Sequence, residues 1–203
     1  MNYGQLKTHF DALLNRSDIT TALTEQFLTD GIARIQRSLR TPMQEKVQTV
    51  TITTATTSTT LPADFLETIS LYFDQYELQR VPMKRFRELN ESNHSGNPMF
   101  YTRQGAELLL YPQPSSGTLV LYYYAEMPAL VNSTDENAMT QVASNLIIYA
   151  GLTFASDYYL DERGELFEFK YNQMLNEFQE MADDQETNGG TQIIQPSYNY
   201  QDY

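Results

Sequence analysis

Thr118-Leu119-Val120-Leu121-Tyr122-Tyr123-Tyr124-Ala125 is the stretch on which the fold turns. Almost every residue in it favours a strand and none breaks one. Its side chains point alternately to two faces, so at least one of the three tyrosine rings turns away from the local core. Residues 112–117 read as the turn before it. Further upstream, residues 99–103 and 106–111 are short β-forming runs joined through Gln104-Gly105, the pattern of a tight hairpin. Residues 93–98 have loop composition, and Pro82 suits the first turn of a short helix over 83–89. Residues 65–73 predict a strand, entered through a turn at Leu61-Pro62-Ala63-Asp64-Phe65, with 75–81 as its hairpin partner. Residues 47–60, dominated by threonine and β-branched side chains, predict a strand followed by a polar loop. The whole block then forms a small sheet or sandwich.

Both flanks change to a helical period. Tyr3, Leu6, Phe10, Leu13 and Leu14 make one apolar face, and Ser17 or Asp18 can cap the next helix. Ile19, Leu23, Phe27, Ile35 and Leu39 carry the second face; Gly31 interrupts it and Pro42 marks its exit. After Pro128, Thr134 or Asp135 can cap a single helix over 138–159, ~33 Å long at ~1.5 Å per residue. Its face is Met139, Val142, Leu146, Tyr149 or Ala150, and Thr153 or Phe154. Gly164 separates it from an antiparallel partner bearing Leu166, Phe167, Met174, Leu175, Phe178 and Met181. The periodicity ends at Asp183, Asn188-Gly189-Gly190 reads as a hinge, and residues 191–203 stand apart. The expected class is α+β: N-terminal helices (1–46) and a C-terminal helical hairpin (129–186) form one bundle. An antiparallel β-rich subdomain (47–128) is inserted between them, and an extended C-terminal arm (187–203) follows.

Composition narrows the function. A chain of 203 residues can bury one core and an inserted subdomain. The absence of cysteine excludes disulfides, thiolate metal sites and cysteine nucleophiles, and fits a reducing cytoplasm. The first ten residues lack the basic-then-apolar pattern of a secretory signal, and no apolar run is long enough to span a membrane. The net charge of -13 is uneven. From Glu126 onward 14 acidic residues face only Arg163 and Lys170, whereas residues 80–103 hold five basic residues against Glu88 and Glu91. Such a chain does not hold nucleic acid by neutralising phosphates; it suits charge-steered contact with proteins.

No catalytic constellation stands out. His9 and His94 are far apart; the first reads as a surface residue of a short helix and the second as a solvated loop residue. No histidine pair, acidic calcium loop or glycine-rich phosphate loop is present. Asp161-Glu162 and Asp183-Asp184 read as solvated helix ends, and the acids of the C-terminal helices alternate with apolar positions as on an outer helical face. No enzyme activity, cofactor or metal is expected. Arg80, Lys84, Arg85 and Arg87 are a candidate inter-subunit contact for an acidic surface, with a solvated helix face and a nucleic-acid site as the other readings. Ile193, Ile194, Pro196, Tyr198, Tyr200 and Tyr203 are candidate partner-binding residues, too apolar for a solvated tail and suited to strand addition on a sheet edge; a frayed terminus is the other reading.

The succession Leu61-Pro62-Ala63-Asp64-Phe65-Leu66, Gly96-Asn97-Pro98-Met99-Phe100-Tyr101, Leu108-Leu109-Leu110-Tyr111-Pro112-Gln113-Pro114, Leu119 to Tyr124, Pro128-Ala129-Leu130 and Leu146-Ile147-Ile148-Tyr149-Ala150 resembles the head-to-tail adaptor proteins of tailed bacteriophages, particularly the podophage type. The resemblance covers roughly residues 61–181. It implies a virion protein of the head–tail junction, made in the host bacterial cytoplasm. It implies twelve copies in a ring beneath the portal protein, an arm embracing the portal or a neighbour, and a lower surface receiving the tail nozzle or other tail proteins. DNA would pass through without specific binding, past acidic helices that repel it. The family has no catalytic residues to carry over. Other readings are a tail-completion or tail-tube subunit, a carbohydrate-binding β-module carried on helices, and a hydrolase.

Overall fold

Helix α1 (Tyr3–Leu14) begins at Asn2, whose side chain accepts from the Gln5 N–H while the Gln5 side chain accepts from the Asn2 N–H. That reciprocal cap satisfies two donors the helix cannot pair internally. It ends at Asn15, which takes a left-handed φ of 54°. The computed structural model describes residues 1–53, 56–91 and 94–187, without the side chains of 183–187. Residue 187, expected to open the arm, is helical, and the expected hinge and the rest of the arm lie outside the described residues.

Helix α2 (Thr21–Ser38) is capped by Thr20 and not by Ser17 or Asp18. Asp18 is instead gripped by Arg16 through both carboxylate oxygens, at 2.7 and 2.8 Å. Gly31 does not interrupt the helix. A Cβ there would lie 2.7 Å from the backbone nitrogen of Gly151, so the missing side chain lets α2 meet helix α5 (Ser144–Tyr159) backbone to backbone. Gly151 is equally confined, because its own Cβ would meet the Phe10 ring at 3.0 Å and the Phe27 carbonyl oxygen at 3.1 Å.

The expected single helix over 138–159 is two. Helix α4 (Ala138–Val142) is capped by Asn137, in place of Thr134 or Asp135, and Ala143 leaves helical geometry at φ -129°, ψ 40° before α5 begins. Asp135 serves the preceding turn, accepting from the N–H groups of Val131 (2.8 Å) and Asn132 (2.7 Å). Nor does α5 have one apolar stripe: Leu146, Ile147, Ile148, Ala150, Leu152 and Ala155 are all buried, and Val142 is exposed. A helix enclosed by α1, α2 and α6 is apolar nearly all round, which a search for one face misses. Helix α6 (Gly164–Thr187) packs along α5 and runs past Asp183, so Asp183-Asp184 lie within it.

The β-region is a sandwich. Strands β1 (Glu45–Ile52), β3 (Phe65–Phe73), β4 (Tyr76–Glu77) and β8 (Gly117–Ala125) form one sheet in the order β1-β8-β3-β4. Strands β2 (Ser58–Thr60), β5 (Gln79–Arg80), β6 (Phe100–Gln104) and β7 (Glu107–Tyr111) form the second in the order β2-β7-β6-β5. Leu71, Phe73, Leu119 and Leu121 of the first sheet share a core with Tyr101, Leu108 and Leu110 of the second. Of the anticipated tyrosine run, Tyr123 is inside and Tyr122 outside.

Several local expectations shift. The stretch after β1 includes a strand, β2, where only a loop was expected. Residues 75–81 do not form one hairpin partner: β4 returns along β3, and β5 crosses to pair parallel with β6. All other pairings of named strands are antiparallel. The hairpin turn is Gly105-Ala106, one residue later than expected, because Gln104 still pairs with Glu107 and Gly105 supplies the positive φ of 61°. Pro82 is the cap before helix α3 (Met83–Asn90).

The Gly31–Gly151 contact gives a test of opposite sign to helix propensity. At an open helical site Gly→Ala stabilises by ~1 kcal/mol. Here Gly31→Ala should destabilise by about 1–3 kcal/mol through overpacking against backbone. Urea unfolding would register it as a lower midpoint at unchanged slope.

Candidate interaction surfaces

Phe86 anchors α3. It is buried against Val81 and meets Tyr111 edge-on, with ring centroids 6.3 Å apart at 79°. With Phe86 inward, helical geometry turns Lys84, Arg85 and Arg87 to solvent, and all three are exposed. Exposed Arg80, on β5, and exposed Arg103, on β6, line one depression with Val81, Pro82, Met83 and Thr102. The structure therefore brings Arg80 and Arg103 together at one depression of the second sheet and leaves Lys84, Arg85 and Arg87 exposed on the helix that follows. Sequence spacing could not assign Arg103 to this patch, because its place depends on the parallel β5–β6 pairing. Arg85 pairs with Glu88 at 3.1 Å on the exposed face, a contact of little net worth. Arg80, Lys84 and Arg87 have no ion-pair partner among the described residues.

The opposite charge lies on α6. Its buried side is Phe167, Tyr171, Phe178 and Ala182, and Glu165, Glu177 and Glu180 are exposed, as is Glu162 just before the helix. Leu166 is half exposed, not on the buried side as expected, and Phe169 is 67% exposed. They stand one turn apart on α6, and Tyr158 and Leu160, where α5 ends, are exposed as well. The true buried series, 167-171-178-182, is offset by one from a face read through Leu166, and only packing against α5 chooses between them.

Two acids on this side hold the bundle together. Glu168 accepts from both terminal nitrogens of Arg34, at 2.6 and 2.9 Å, and Arg34 also donates to the Thr153 hydroxyl and stacks over Tyr171, 4.1 Å from the ring centroid. The Arg34 hydrogen bonds lower the Glu168 pKa from its ordinary value. Asp161 was expected to be a solvated helix end. It instead holds the Arg163 guanidinium at 2.6 Å and accepts from the Arg163 backbone N–H at 2.9 Å, and these bonds pull its pKa down to about 2. Arg163 in turn donates to the carbonyls of Leu13 (3.3 Å) and Leu14 (2.8 Å), acceptors that the end of α1 leaves unpaired.

His9 is half buried, not a surface residue, and its Nδ1 is buried without a hydrogen-bond partner in the structure; His94 is exposed as expected. Among the described residues no group of His, Cys, Asp and Glu could hold a metal ion, and no helix is long and apolar enough to cross a membrane. Ile193, Ile194, Pro196, Tyr198, Tyr200 and Tyr203 lie outside the described residues.

A helical bundle with a β-rich insertion is the arrangement that the sequence resemblance implied. A family model described as SU10 adaptor protein matches residues 1–195. The chain belongs to the SU10 adaptor family. No curated protein matches it. The adaptor is thus a structural component of a bacteriophage virion that works with head and tail components. The match takes in both faces of opposite charge and reaches Ile193 and Ile194, stopping before Pro196.

The Asp161–Arg163 lock predicts an acid limb. A carboxylate with a lowered folded pKa stabilises fully above its unfolded value, near 3.8, and loses that contribution as pH falls towards about 2. Asp161→Asn should therefore be less stable than the parent at pH 5. The gap between their melting temperatures should narrow as pH falls through this window.

Proposed function

We propose that this adaptor forms a ring of twelve copies between the portal and the tail. The ring bridges capsid to tail nozzle or other tail proteins and continues the DNA channel. The observation that carries the reading is the family match over residues 1–195. The chemistry of the chain agrees with it. An assembly subunit needs rigid packing, and the backbone contact of α2 with α5 and the Arg34–Glu168 clamp provide it. A heterologous ring also needs two different faces that complement each other. The basic patch on α3 and the acidic side of α6 are such a pair, one on the sandwich and one on the bundle. In this reading Lys84 and Arg87 of one copy meet the neighbour's Glu177 and Glu180. DNA passes without specific binding, since a net charge of -13 opposes phosphate neutralisation. The adaptor carries out no reaction and takes no cofactor. Residues 188–203 act as an arm that docks on the portal or a neighbour.

Two experiments check this. Lys84→Glu with Arg87→Glu should weaken copy–copy association about tenfold at low salt, and adding Glu177→Lys with Glu180→Lys should restore it. Absence of rescue would remove the proposed pairing. Mixing the adaptor with portal rings, with and without residues 191–203, tests the arm: the truncated chain should fold and dock poorly, and undiminished docking would refute the assignment.

A further inference from the structure

Phe169 stands in the open. Its ring is 67% exposed, and Leu166, one turn before it on α6, is 49% exposed. A lone apolar residue on a surface is ordinary, but an aliphatic–aromatic pair on one helical face is the kind of anchor that partners bury. The surroundings of this pair are acidic. Glu165 comes four residues before Phe169 and so is its neighbour on the helix surface, and Glu162 lies exposed just ahead of the helix. Lys170, the only basic residue of α6, does not offset them: its ammonium donates to the Tyr149 hydroxyl at 3.2 Å and lies over that ring. A partner for this surface has to supply an apolar socket with a positive rim.

The described residues contain such a socket. Val81, Pro82, Met83 and Thr102 line a depression of about 440 Å³ together with Arg80 and Arg103. An apolar cavity of about 150 Å³ already takes a benzene ring, so a phenylalanine fits here with room for the groups beside it. Arg103 is held in place. Its Nε donates to the Gly105 carbonyl at 3.0 Å, and its guanidinium lies over Phe65, 4.9 Å from the ring centroid. Both arginines are exposed, and neither has an ion-pair partner among the described residues. Two other depressions with apolar linings suit Phe169 less, because each carries an acid that would repel Glu165. The groove of Val142, Met174 and Met181 includes Glu177. The depression beside Val47 and Tyr122 includes Glu45, and its Lys46 is already engaged by Asp64 at 2.6 Å. Phe169 is left exposed by its own chain, so the match is made between copies.

We propose that Phe169 of one copy seats in the Arg80–Arg103 depression of a neighbouring copy. The ring packs on Val81 and Met83 with a guanidinium at its face, and Glu165 and Glu162 meet the two arginines. The contact rests on the reading that copies of the adaptor assemble side by side, and it gives the charge pairing suggested above an apolar centre from which water is excluded.

A photoreactive phenylalanine analogue placed at position 169 of the full chain keeps the ring and reports what covers it. Irradiated at high concentration and on portal rings, it should link adaptor to adaptor, at peptides holding residues 80–83 or 102–103. Phe169→Ala should weaken copy–copy association ~30-fold, and Phe169→Trp should largely keep it. The melting temperature of the dilute Phe169→Ala chain should match the parent, because the exposed ring adds little to its own core. Arg80→Glu with Arg103→Glu should weaken association about tenfold at low salt, and Glu162→Lys with Glu165→Lys should restore it, which also shows that the doubly changed socket still folds. Links only to the portal, links elsewhere on the adaptor, no links in either setting, or undiminished association of Phe169→Ala would each overturn the contact. Electron micrographs of the loaded portal report separately on the ring. Twelve copies in a ring with links elsewhere would remove this anchor and spare the adaptor reading. Links at the depression between copies that form no ring would do the opposite.

Discussion

The contact of Gly31 with Gly151 sets the rest of the molecule in place. Because neither residue has a side chain, α2 and α5 approach to backbone distance, and α5 becomes the enclosed centre of the bundle. The consequences run outward in order. Leu39, at the end of α2, is buried by the same core, so the chain must leave at a fixed point through Pro42–Gln44 into β1. On the far side of α5, α6 can lie close enough for Glu168 to reach Arg34 on α2, which binds all three helices through one guanidinium. The sandwich is thus carried on the bundle by the exit of α2 at one side and by Met127 and Leu130 at the other.

Charge is divided between two uses. Arg34, Arg163 and their carboxylates are spent inside the adaptor, where they tie helices and cap a helix end. Arg80, Lys84 and Arg87 on the sandwich, and Glu165, Glu177 and Glu180 on the bundle, remain on its surface. A sequence shows only the sum, because an acid that caps or clamps and one that faces solvent occupy the same kind of position between apolar residues. Distance to a guanidinium separates them, and that distance is a property of packing.

Much of the fold was legible in local pattern. Residues 65–73 were read as a strand, and β3 has those bounds; the first helix and the 118–125 strand are found within one or two residues. In each case one period governs many residues. The misread places are those where two elements compete for one residue. Leu166 looked buried because helical spacing fits two adjacent faces, and Asp161 looked solvated because its partner Arg163 is held in place by the distant carbonyls of Leu13 and Leu14. The strand β5 was assigned to the wrong neighbour because a two-residue strand has no pattern of its own. The basic residues were visible as a charge count, but their union with Arg103 across two strands was not.

By itself the sequence determined the α+β class, the helical flanks around a β-rich block, the absence of any thiol chemistry and the resemblance to phage adaptors. These depend on periodicity and composition, which neighbouring residues carry without help from distant ones. Tertiary structure decided which face of each helix is buried, which carboxylates are clamps, and that Arg103 joins Arg80 across two strands. Those outcomes depend on which distant segments touch, and pairwise packing, not local spacing, selects among arrangements that the same pattern allows.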